Sequence, residues 1–229
     1  MKAVLFDFSG TLFRIEPVTT WLRAALDATG TTLSQDEFSL RAAELTAAGA
    51  LPGGPDPQRV PPGLAGLWES RDRSAELHQA AYTGLARQVE LPDPALYDAL
   101  YARHKAPLAW SPYPDTAEVL ATLHARGIGV GVVSNIGWDL RPVFRTHGVD
   151  PYVDGYTLSY EHGIQKPDVR IFRAACAALG QDPRETLMVG DSRHADGGAR
   201  DLGCAVHFVD HLPAAERPDA LLPVLDLAR

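Results

Sequence analysis

The chain reads as α/β: a doubly wound parallel-sheet core into which an all-helical segment is inserted. Three observations predict this. Short runs rich in Val, Leu, Ile and Phe, without clean alternation, suit strands buried on both faces of a parallel sheet. Stretches of helical pattern separate these runs through the second half of the chain. Between the first run and the second lies a long segment whose pattern is helical throughout.

In chain order, the first strand is Ala3–Phe8. Helices come next at about Val18–Ala28, Ser34–Ala47, Glu69–Gln88 and Asp93–His104, and in the third Ala75, Leu77, Ala81, Leu85 and Ala86 fall at helical spacings. The stretch Leu51-Pro52-Gly53-Gly54-Pro55-Asp56-Pro57, continuing to Gly63, interrupts them. Its prolines and glycines preclude regular structure, and it reads as a solvent loop, with substrate gating as the alternative. Ser111-Pro112-Tyr113-Pro114 marks the return to the main domain, so residues 14–111 form the helical unit and residues 1–13 with 112–229 the α/β core. The next strand is Ile128–Val133, then Gly155–Ser159, Thr186–Val189 and Cys204–Val209. Helices at Asp115–Arg126, Asp139–Thr146, Pro167–Leu179 and Arg193–Leu202 alternate with them, and no internal repeat is present.

Composition narrows the function classes. A hydrophobic content of 45% and a charged content of 22% over 229 residues are ordinary for a globular protein. A formal net charge of -8 argues against a general polyanion binder, so no nucleic-acid partner is expected. A local positive pocket for a small anion remains compatible with that charge. Cys176 and Cys204 read as small buried hydrophobes in a reducing compartment. No stretch is long and apolar enough to span a bilayer, and Asp7 interrupts the apolar start too early for a secretory signal. A cytoplasmic protein without a membrane partner is expected.

Open parallel sheets bind ligands beyond the carboxyl ends of their strands. There the sequence sets Asp7-Phe8-Ser9-Gly10-Thr11-Leu12, Ser134-Asn135 and Gly190-Asp191-Ser192, with Asp196 shortly after. Lys166 precedes a proline-started helix. Asp7 and Asp191 suit a hard divalent cation, Ser134 and the neighbouring amides suit phosphate oxygens, and Lys166 suits neutralisation of both. Each alone has a plain structural reading as a turn, helix cap or surface residue; four strand-tip coincidences in order point to a site.

These motifs resemble the haloacid dehalogenase-like hydrolase superfamily, in the branch with a helical cap inserted after the first strand of a Rossmann-like core. Asp7 to Leu12 is similar to the nucleophile motif and Val133-Ser134-Asn135 to the second. Glu161 through Lys166-Pro167-Asp168 to Ile171-Phe172 is similar to the third, and Val189-Gly190-Asp191-Ser192 with Asp196, Gly198 and Ala199 to the fourth. The resemblance runs from about Ala3 to Phe208, while the cap matches in position and helicity only. It implies an aspartyl phosphate on Asp7 and Mg²⁺ held by Asp7, Asp191 and the carbonyl of Ser9. It further implies that Lys166 offsets charge, that Ser134 and the Asn135 amide bind phosphoryl oxygens, and that Asp196 orders the metal's surroundings.

One position departs from that pattern. Most phosphatases of this kind carry an aspartate two residues after the nucleophile as general acid and base; here it is Ser9. Such groups are worth about 10²–10⁴ in rate. Three readings are open: a substrate with a good leaving group, a proton from another residue (His162, His194, Glu16 or His78), or a catalytically weak phosphate-ligand binding protein. Phosphonate cleavage needs a cap lysine, and of Lys2, Lys105 and Lys166 only Lys105 lies near the cap, at its exit. Metal-independent dehalogenation is the lesser alternative, because relatives of that kind lack a counterpart of Gly190-Asp191. Arg71, Arg73 and Tyr82 are available as substrate handles, though a solvated helix face accounts for them better. The expected partner is a small phosphorylated metabolite, and the protein is expected to be a monomer or homodimer.

Overall fold

The computed structural model describes residues 1–229. The elements run β1 (Ala3–Phe6), β2 (Phe13–Ile15), α1 (Val18–Thr29), α2 (Gln35–Ala47), α3 (Ala65–Ser70), α4 (Ala75–Ala86), α5 (Ala95–His104) and β3 (Trp110–Pro112). They continue with α6 (Thr116–Ala125), β4 (Gly129–Ser134), α7 (Arg141–Thr146), β5 (Gly155–Leu158), α8 (Ser159–His162), α9 (Val169–Ala178), β6 (Thr186–Gly190), β7 (Ala205–Phe208) and α10 (Val224–Leu227). Five strands form one parallel sheet in the order β5-β4-β1-β6-β7. The fold is therefore α/β with a doubly wound, Rossmann-like core, as the apolar runs predict.

The central strand explains the choice of residues. β1 is fully buried and pairs with β4 on one side and β6 on the other, Phe6 lying level with Val132 and Val189. Neighbouring strands lie about 4.8 Å apart, so residues at the tips of these three strands share one crevice. Asp7, Ser134 and Asp191 are those residues.

Several elements differ from the sequence reading. β1 stops at Phe6, because Phe8 turns into an aromatic cluster with Phe13, Trp110 and Phe144. β2 and β3 form an antiparallel pair flanking the five helices α1–α5, where the apolar runs mark no strand between Phe8 and Ile128 and Ser111–Pro114 reads as a linker. At three residues each, these strands are too short for a period-2 signal.

The single helix expected over Glu69–Gln88 is broken. A 3₁₀ turn at Arg71–Arg73 leads to Ser74 in extended backbone, whose hydroxyl accepts from the Leu77 amide and starts α4. In place of a helix over Arg193–Leu202 there is a 3₁₀ segment, Asp196–Leu202. Gly197 and Gly198 disfavour the α-helix, and a Cβ on Gly198 would stand 2.4 Å from the Pro167 carbonyl.

The proline- and glycine-rich stretch divides. Leu51 and Pro52 are buried, while Pro55, Asp56, Gln58 and Arg59 face solvent. Gly53, at φ +78, lies flat against Trp110, where a Cβ would come within 2.5 Å of the indole. The solvent-loop reading fails for Leu51–Gly54 because the apolar pair joins the core and brings the glycines with it.

Candidate active site

Asp7, Lys166 and Asp196 form a buried chain of charge. The Lys166 ammonium donates to Asp7 Oδ1 at 2.6 Å and to Asp196 Oδ1 at 2.6 Å. The other oxygen of Asp196 accepts the Ser192 amide at 2.9 Å. This approach needs Gly190, since a Cβ there would fall 2.2 Å from Asp196 Oδ2. Lys166 is held by Asn135, whose carboxamide accepts the Lys166 amide at 2.6 Å and donates to the Lys166 carbonyl at 3.0 Å. Both ends of the Asn135 carboxamide are thus engaged by the Lys166 main chain, next to the buried Ser134.

Oxygens of Asp7, Asp191 and Asp196 all lie within 4.8 Å of one another. Three carboxylates against one ammonium leave two negative charges. Burial, which outweighs the opposing Lys166 charge, raises the Asp7 pKa to about 7, and Asp196 and Asp191 push it further the same way. Burial works against the Lys166 ammonium, but Asp196 and Asp7 outweigh it and the group is held protonated. The Ser9 carbonyl accepts no backbone hydrogen bond. An all-oxygen donor set with two surplus negative charges fits a hard divalent cation such as Mg²⁺.

The floor of the site opens into a cavity of about 1340 Å³ that also reaches the helical insertion. Asp7, Ser9, Ser134, Asn135, Lys166 and Asp191 all line it, while Asp196 is fully buried behind Lys166. Phe38, Pro52–Asp56, Arg71, Asp72, His78 and Tyr82 supply the opposite wall.

The candidate sources of a proton separate clearly. His162 and His194 are exposed and lie outside the cavity. Glu16 lines it but is locked to Arg103 by two hydrogen bonds of 2.7 and 2.5 Å. His78 also lines it; burial lowers its pKa to about 3, with Arg71 and Lys105 adding to the shift, and its Nδ1 lies 2.8 Å from the Tyr101 hydroxyl. It is neutral at neutral pH. Arg73 is exposed, as a solvated face requires. Arg71 and Tyr82 are not: Arg71 stacks 3.8 Å from the Trp68 ring and both face the cavity. The break before α4 turns them inward, which regular helical spacing hides.

Four contributors escape the sequence reading. His211 Nδ1 lies 2.8 Å from Asp191 Oδ2; it sits just beyond the tip of β7, a strand end that could have been searched like the others. Arg217 stacks 3.4 Å from the Tyr113 ring, donates to the Gly10 carbonyl at 2.5 Å and also bonds the Thr11 carbonyl, so it braces the Asp7 loop. No motif marks it. Asp72 and Ser159 complete the group, at the turn before α4 and the tip of β5.

The chain matches the haloacid dehalogenase-like hydrolase family over residues 1–203, and it belongs to that family. It is 36% identical over 110 residues to a phosphoserine phosphatase of Thermus thermophilus, covering 47% of this chain and 44% of the relative. It is 34% identical over 131 residues to (S)-2-haloacid dehalogenase 4A of Burkholderia cepacia, covering 56% of this chain and 55% of that one. The chain thus spans about half the length of the curated relatives it matches. Among solved structures, a haloacid dehalogenase-type phosphatase of Thermococcus onnurineus superposes with a TM-score of 0.59 at 26% identity, covering 92% of this chain and 86% of that one.

Proposed function

We propose that this hydrolase is a Mg²⁺-dependent phosphatase acting on a small phosphorylated metabolite through an aspartyl phosphate on Asp7. One observation carries the reading: the Asp7 carboxylate lies at a strand tip, 2.6 Å from the Lys166 ammonium, in a cluster of three carboxylates with two uncompensated negative charges. Hydrolytic dehalogenation, the chemistry named for one relative, would not call for that excess of oxygen donors.

Asp7, Asp191 and the Ser9 carbonyl are the residues that would hold the ion. Bound there, it supplies Lewis-acid stabilisation of the phosphoryl oxygens. Asp7 is the nucleophile; Lys166 orients it and balances the charge of the transferring group. Ser134 and the Asn135 amide hold two phosphoryl oxygens, and Asp196 fixes Lys166 through its second hydrogen bond. Residues 14–111 act as a cap that shelters the reaction from water, while residues 1–13 and 112–229 carry the chemistry. The cavity size and the enclosing wall suit a small metabolite better than a phosphorylated macromolecule.

The test is phosphate release from a panel of phosphorylated metabolites, acyl phosphates included, with Mg²⁺ and with EDTA. Magnesium-dependent release from one class supports the reading. Silence across the panel, with metal still bound, supports instead a phosphate-ligand binding protein.

A further inference from the structure

We infer that Asp72, reached from the helical insertion, is the general acid and base of the reaction, the role that Ser9 cannot fill. The inference rests on the phosphatase reading and adds to it the source of the proton. Its first support is proximity: a Cβ on Gly53 would lie 2.9 Å from Ser9 Oγ, so the insertion reaches the site at Ser9 itself.

Asp72 is anchored where the leaving group must emerge. Its carbonyl accepts the Ser159 hydroxyl at 2.5 Å, and the same hydroxyl accepts the Ile136 amide at 2.9 Å. One side chain therefore ties Asp72 to the loop of Ser134 and Asn135. Beside it, Gln165 donates to the Glu69 carbonyl at 2.8 Å, joining the end of α3, just before that turn, to the residue before Lys166. In phosphoryl transfer the attacking and leaving oxygens are roughly in line, so with Asp7 on the sheet tips the leaving oxygen points towards the insertion. Asp72 lines that wall of the same cavity.

Asp72 is 3% exposed, and its carboxyl has no hydrogen bond. The nearest cationic nitrogen, Arg71 Nε, lies 3.6 Å away and His78 Nε2 3.9 Å away. Arg71, His78, Tyr82 and Tyr101 face it from the insertion, and Lys166 from the core. Burial raises its pKa against the pull of Arg71 and Lys166. Of the other acids and bases in the cavity wall, Glu16 is held by Arg103, His211 by Asp191 and His78 in its neutral form, while Asp56 faces solvent.

The step balances. An Asp7 oxygen bonds phosphorus as the phosphorus–oxygen bond to the leaving group breaks. The leaving oxygen keeps the electron pair of the broken bond and takes the proton of Asp72. In the second half, water bonds phosphorus, the Asp7–phosphorus bond breaks, and Asp72 takes the proton that the water loses. The sum is phosphomonoester and water giving alcohol and phosphate.

The experiment compares wild type with Asp72→Asn on an alkyl phosphate and on p-nitrophenyl phosphate, whose leaving group needs no proton. The readout is kcat/KM, which reports the transfer to Asp7 and not the later hydrolysis common to both substrates: it should fall about 10²–10⁴-fold for the alkyl ester and less than about tenfold for the aryl ester. Asp72→Ala supplies a second readout: added formate restores kcat/KM for the alkyl ester and leaves that for the aryl ester unchanged. Equal losses of kcat/KM on both substrates, or no loss on the alkyl ester, or an alanine variant whose kcat/KM is untouched by formate, would overturn the assignment. Wild-type protein inactive on both substrates would overturn the phosphatase reading itself.

Discussion

The ammonium of Lys166 lies 2.6 Å from Asp7 Oδ1, and Lys166 is 4% exposed. The pair links a loop before α9 to the central strand, 159 residues apart in sequence. It sets both the charge of the site and the direction in which the Asp7 carboxylate faces. Lys166→Met should reduce turnover about 10²–10³-fold, the usual cost of one electrostatic stabiliser. Removing one partner of a buried ion pair also costs about 3–5 kcal/mol of stability. Steady-state kinetics and denaturant unfolding in Mg²⁺ check both; unchanged turnover contradicts the role.

Ser9→Asp is the substitution that the departure from the usual motif invites. In the proposed mechanism Asp72 already supplies the proton, so an acid at position 9 adds little. Turnover of p-nitrophenyl phosphate should rise less than about tenfold, well short of the roughly 10²–10⁴ that a newly installed general acid brings. A rise of that size would mean that the native site lacks a proton donor.

His78 gives the protein a pH-dependent stability. Burial depresses its folded-state pKa to about 3, against an unfolded value near 6.5. Between those values the unfolded chain binds a proton that the folded chain does not. The contribution is complete above about pH 6.5 and is lost as pH falls towards about 3. Urea midpoints should drop between neutral pH and about pH 5, and the drop should be smaller in His78→Asn. Equal slopes for the two proteins would contradict the assignment.

The sheet and its tips were legible because continuous apolar runs and strand-end acids survive in sequence without their surroundings. Asp7, Ser134, Lys166 and Asp191 fell to that logic. The wall opposite is legible only in part: Arg71, Tyr82 and His78 stand among the sequence candidates, but Asp72 does not, because Ser74 interrupts the helix and a periodic reading carries it straight through. The strip at Leu51–Gly54 was equally opaque, since its place depends on Trp110, far along the chain. Arg217 holds the Asp7 loop from near the end of the chain, and no local pattern announces a contact across 207 residues.

Arg217→Met tests that contact. It keeps much of the stacking on Tyr113 while removing the hydrogen bonds to the Gly10 and Thr11 carbonyls. Hydrogen bonds from a charged donor contribute about 1.5–3 kcal/mol each, so stability should fall by at least about 2 kcal/mol and turnover with it. A variant as stable and active as wild type would show that the loop is held by other contacts.

The covalent step on Asp7 is the centre of the proposed mechanism, and trapping it is the most direct measurement. Protein turning over radiolabelled acetyl phosphate in Mg²⁺ is quenched in acid and its peptides are mapped. Nucleophilic attack by Asp7 predicts acid-stable, hydroxylamine-labile label on the peptide containing that residue, absent from Asp7→Asn and from EDTA-treated protein. Magnesium-dependent turnover that continues in Asp7→Asn, or label on another residue, would contradict it.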